Sequence, residues 1–138
     1  MSQAIIRAKL MQTLAAYATA HAPVLTIARE NIAFTKPVNS ATFLEAFLIP
    51  ANTINPNVSA DRRRFYGDFQ INVWSKEGNG AQDAETIAEE ISQLFKVFPK
   101  DLMPVSVEAP ASIKKSLTDG TGYRVTPILI PYRMESEN

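Results

Sequence analysis

The tightest constraint on this chain is a change of hydrophobic period between Arg64 and Phe95. Over Arg64–Trp74, Phe65, Gly67, Phe69, Ile71 and Val73 alternate with Arg64, Tyr66, Asp68, Gln70, Asn72 and Trp74. That two-residue repeat predicts a strand with one face in a core. Ser75–Gly80 is a turn by composition. Beyond it Ala84, Ile87, Ala88, Ile91, Leu94 and Phe95 recur by threes and fours, while Asp83, Glu85, Thr86, Glu89, Glu90 and Gln93 take the other side, an amphipathic helix. Asn79 with Gln82 has the form of a capping box, Asp83 and Glu85 suit the positive end of the helix dipole, and Pro99 closes the helix. The strand and helix supply a core on which the flanking segments have to pack.

Ile6, Leu10, Leu14, Tyr17 and His21 form a helical stripe over Ser2–His21, ended by Ala22 and Pro23. Arg7 and Lys9 ahead of Leu10–Ala18, with Ala18-Thr19-Ala20 behind, also outline a secretory signal. Gln12 and Thr13 interrupt that apolar run, and a signal needs no stripe, so the mature helix is the reading. Val24–Lys36 has no sustained period and reads as an extended connection up to Pro37. Ala41–Ile49, apolar on both sides apart from Thr42 and Glu45, reads as a strand. Pro50–Asp61 is a turn-rich linker joining it to the Arg64 strand as an antiparallel hairpin. After a turn at Pro99–Pro104, Val105–Ala109 is a short strand, and Pro110–Thr118 is loop or frayed strand. Asp119–Gly122 is a turn and Tyr123–Arg133 is the last strand. Pro127 and Pro131 remove two backbone donors from it, which predicts an edge position or a bulge.

The order helix, hairpin, helix, hairpin predicts an α+β fold in a single domain, residues 1–138. About four antiparallel strands would carry two helices on one face, with a flexible loop at about 50–62 and a disordered tail at about 134–138. The opposite face, with Tyr66, Gln70, Asn72 and Trp74, is too aromatic to be left to water and is expected to meet another subunit.

Catalytic chemistry is thin. The chain has no cysteine, which removes disulfides, thiolate catalysis and Cys-ligated metals together. Its one histidine, His21, sits at a helix end among alanines with no partner pattern. Glu85, Glu89 and Glu90 read as a solvated acidic face, and Gly78-Asn79-Gly80 lacks the Lys-Ser/Thr of a phosphate loop. The expectation is therefore no enzyme, no metal and no cofactor. No apolar run approaches the roughly 20 residues that span a bilayer. Lys plus Arg equals Asp plus Glu, 14 each, so nucleic acid would have to be held by a local patch. Arg62-Arg63-Arg64 beside Phe65 and Tyr66 is the one candidate, with Lys114 and Lys115 in support. At a loop-to-strand junction such a run is more often solvated or paired with carboxylates.

One further set of landmarks runs in order along the chain. Glu30-Asn31-Ile32-Ala33-Phe34-Thr35-Lys36-Pro37 precedes a strand ending Phe47-Leu48-Ile49-Pro50. The Arg64–Trp74 strand with its internal Gly67 follows, then the helix Ala84–Phe95 and a last strand ending Ile128-Leu129-Ile130-Pro131-Tyr132. This layout, from Ser2 to about Arg133, resembles the small tail-terminator-like proteins of long-tailed bacteriophages and prophages. The resemblance implies a non-enzymatic structural protein that caps the growing tail tube as a ring, commonly of six subunits, and offers the head its docking surface. Its partners would be other copies of itself, in a ring that can form only on assembly, the tail tube protein and a head-completion protein, with no membrane and with nucleic acid only by proximity. It would act in the bacterial host cytoplasm and then in the virion tail. Arg62, Arg63, Arg64, Tyr66, Trp74, Lys114 and Lys115 are the candidate contacts to subunit, tube or DNA. A head–tail connector or tube subunit is the alternative in the same setting, and a nucleic-acid-binding module the alternative of another class.

Overall fold

A strand that alternates in period over Arg64–Trp74 needs a neighbour on each side, and Arg62–Lys76 has both. The computed structural model describes residues 2–21, 25–29, 42–51, 62–76, 82–95, 106–107, 110–114, 117–118 and 123–137. The elements are α1 (Ser2–Ala20), β1 (Ile27–Arg29), β2 (Phe43–Pro50), β3 (Arg62–Lys76), α2 (Gln82–Leu94), β4 (Ser106–Val107), β5 (Ser112–Ile113), β6 (Leu117–Thr118) and β7 (Tyr123–Glu137). In the sheet, β1, β2, β3 and β7 lie side by side, and β4, β5 and β6 share the position outside β7. All neighbours are antiparallel except β1, which runs parallel to β2. The sheet is thus mixed and five positions wide, where about four antiparallel strands were expected. The added strand lies in the stretch read as a connection. The capping residues at Asn79, the stop at Pro99, the Glu30–Pro37 landmark and the turns at Gly78–Gly80 and Asp119–Gly122 fall outside the described residues.

Both helices cover one face, as the two periods require. Ile6, Leu10, Leu14 and Ala18 of α1 and Ala84, Ile87, Ala88 and Ile91 of α2 are buried against Leu44, Ala46, Leu48, Phe69, Ile71, Val73, Ile128, Ile130 and Tyr132. These sheet residues share one parity in register: Leu44 faces Val73, Ala46 faces Ile71, Leu48 faces Phe69, and Ile71 in turn faces Ile128. Burial of this kind, roughly 25 cal/mol per Å² of apolar surface, is what holds the two layers together.

Two sequence expectations are corrected at β7. It lies inside the sheet, paired with β3 at all fifteen positions without a bulge. The Lys114 N–H donates to the Pro127 carbonyl at 2.8 Å, so Pro127 turns its backbone toward β5. Pro131, four residues on, turns the same way, because backbone groups alternate between neighbours along a strand. The missing donors therefore face the outer position and leave the β3 ladder intact. That outer position is the interrupted one. Its pairing with β7 slips by two residues between β4 and β5 and by one between β5 and β6. The second correction is the polar tail: residues 134–137 are strand, paired with 62–65. A composition poor in apolar residues was read as disorder, but the ladder needs only backbone groups.

The helices are tied at one end by polar contacts. The Tyr17 hydroxyl donates to Glu90 Oε1 at 2.7 Å, and His21 Nε2 lies 3.9 Å from the same oxygen. Burial first, then the hydrogen bond to Glu90 and its charge, hold the Tyr17 phenol well above its ordinary range. A raised folded-state value makes its contribution complete below the unfolded value, about 10, and lost as pH rises through the folded one. Tyr17→Phe should cost no more than about 1 kcal/mol at neutral pH, since Glu90 is left facing water. Urea titrations from pH 8 to 11 should show the wild type's advantage over the variant constant up to about pH 10 and shrinking above it.

Candidate functional site

The helix-free face of the sheet holds most of the residues picked out from sequence. Register places Phe43, Glu45, Phe47 and Ile49 of β2 against Trp74, Asn72, Gln70 and Asp68 of β3, and those against Val125, Pro127, Leu129 and Pro131 of β7. At one end is an aromatic group. Phe43 stacks on Trp74 with planes 1° apart and centroids 5.8 Å apart, and Tyr123 sets its ring at a steep angle to both. Phe43 is buried there, away from the helix-covered core. Beside it runs a polar chain: Gln70 Nε2 donates to Asn72 Oδ1 at 2.9 Å, Asn72 Nδ2 to Glu45 Oε1 at 2.8 Å, and Trp74 Nε1 to Glu45 Oε1 at 3.2 Å. One carboxylate oxygen thus orients both Asn72 and Trp74, and this end of the face is rigid by construction.

The basic candidates do not gather. Arg62, Arg63, Arg64, Tyr66 and Trp74 all lie on β3, but Arg64 and Trp74 are ten positions apart, about 34 Å of strand at about 3.4 Å per residue. Lys114 is exposed and sits beside Pro127, level with Asn72, near the Trp74 end. Lys115 falls outside the described residues. Register sets Arg62 opposite Glu137, Arg64 opposite Glu135 and Tyr66 opposite Arg133. By register, two positions of the arginine run lie opposite acidic positions of its own chain. Phe43, Glu45 and Tyr123 were not picked out from sequence. The one signal for them was Glu45, a lone charge in an apolar strand.

On the helix side a groove of about 820 Å³ opens between α2 and β5. Ala111 and Ile113 give it apolar walls, and Glu89, Glu90, Gln93 and Thr86 line it from α2, with the fully buried Phe95 behind them. Ser92 lies on the same side of α2, its hydroxyl closed to water and without a hydrogen-bond partner. Among the described residues no three His, Asp or Glu side chains gather as a metal site requires, and no helix is long and apolar enough to cross a membrane.

Comparison with known proteins gives these surfaces a setting. No curated protein matches the chain. A solved structure of a protein that carries only a systematic label is similar over 97% of this chain and 96% of its own, at 35% identity and a TM-score of 0.77. Residues 5–132 match the family described as phage tail terminator protein, a span that runs from within α1 to within β7 and takes in every element between them. With the fold and that span in agreement, the chain belongs to the phage tail terminator protein family, a structural family of the virion tail.

Proposed function

We propose that this protein caps the tail tube as a homo-oligomeric ring, halts tube growth and presents the surface on which the head docks, without catalysing a reaction. The observation that carries the reading is the family match across residues 5–132. A sheet face with half-buried Phe47, Trp74, Val125 and Leu129 supports it, since an apolar face of this extent suits contact with other chains. The opposition of Arg62 and Arg64 to Glu137 and Glu135 weighs against a nucleic-acid-binding module.

The test is electron microscopy of tail tube protein polymerised with and without the chain, alongside light scattering of the chain alone over a wide concentration range. The expected result is shorter tubes with one additional ring at an end. Rings that form only on the tube are compatible with a monomer in isolation. Tube lengths indifferent to the chain would overturn the reading, and long filaments grown from the chain alone would make it a tube subunit.

A further inference from the structure

The chain is neutral overall, yet its two helices divide the charge. The α1 segment has Arg7 and Lys9 and no acidic residue, whereas α2 has Asp83, Glu85, Glu89 and Glu90 and no basic one. The α1 helix is also apolar on more than its buried side. Ile5, Ala8, Lys9, Gln12 and Ala16, spaced by threes and fours, form a second stripe away from Ile6, Leu10 and Leu14. Ile5 is 40% exposed there, beside the small side chain of Ala8 and one turn from Lys9. This outer stripe, apolar at Ile5, Ala8 and Ala16 and polar at Lys9 and Gln12, lies away from the residues that the sheet buries.

We infer that the Ile5–Ala8–Lys9 stripe of one copy docks in the groove between α2 and β5 of the next, and that this contact joins the subunits of the ring. The inference rests on the proposed ring. Ile5 would sit against Ile113 and Ala111, and Lys9 would meet the exposed Glu89. The occupant is a second copy because this chain itself carries the complementary surface. Since α1 is fixed by its inner stripe, the outer stripe cannot reach its own groove. A contact between two different patches repeats from copy to copy, which is the geometry that closes rings.

The absence of cysteine makes the contact directly testable. Ile5→Cys and Ile113→Cys are at positions 40% and 42% exposed, so neither substitution reaches the core. Full-length variants are oxidised under the conditions in which the wild type forms rings with tube protein. The two single variants mixed should give a covalent dimer that neither gives alone, and the double variant should give a ladder extending past the dimer. Glu89→Lys should lower the linked yield at least about tenfold by setting like charges together, and Lys9→Glu added to it should restore the yield. Wild-type rings without linkage between positions 5 and 113 would overturn the docking and leave the ring standing. Absence of rings would overturn both. Single variants that link as well as the mixture, or a yield indifferent to Glu89→Lys, would also overturn it. So would a residue-113 thiol shielded from labelling by tube protein but not by a second copy, which would assign the groove to the tube.

Discussion

Gly67→Val is expected to destabilise the fold by roughly 3 kcal/mol or more, a large share of an ordinary total stability of about 5–15 kcal/mol. Gly67 lies in the middle of the sheet, opposite Pro50 of β2 and Tyr132 of β7. A Cβ there would collide with the Ile49 carbonyl oxygen and stand 2.9 Å from both Pro50 Cα and the Tyr132 hydroxyl. Two of the three obstacles are backbone and cannot rotate away. The third belongs to a fully buried ring that fills the notch the glycine leaves. Gly67→Ala should already cost about 1–3 kcal/mol, and adding Tyr132→Phe should not rescue it, because the backbone clashes remain. Urea unfolding followed by circular dichroism measures all three variants. A Gly67→Ala protein within about 0.5 kcal/mol of wild type would mean that the end of β2 yields at no cost.

What could be read from the sequence divides along a physical line. Segments with a single buried face announce themselves, because the period of their apolar residues is the period of the element. That is why β3, α2 and α1 were legible, and with them the helix-covered sheet. Segments whose structure depends on a distant partner were not. The three residues of β1 take their form from pairing beside β2. The prolines of β7 show in sequence that two donors are missing, but which neighbour loses them depends on backbone parity, and parity follows from pairing. Read alone, that deficit put β7 at the edge; pairing puts it inside, with the deficit turned outward. The same holds for the candidate surface. Arg62–Arg64 reads as a basic patch until residues some seventy positions away bring Glu135 and Glu137 opposite it. Glu45 reads as an irregularity in an apolar strand until Asn72 and Trp74 are set around its carboxylate.

Phe95→Ala is the second large effect to expect, about 3–5 kcal/mol of lost stability. The ring is fully buried just past the end of α2, where the Phe95 N–H closes the helix on the Ile91 carbonyl at 3.2 Å. It meets Phe69 of the central strand edge-on, with centroids 5.8 Å apart and planes 70° apart. That contact joins the helix layer to the sheet at its middle, so its loss combines removed apolar surface with a void that neighbouring strands cannot close. Phe95→Leu keeps most of the volume and should lose less than half as much. The melting temperature of Phe95→Ala should fall by about 10–20 °C, read at several protein concentrations because self-association would raise it.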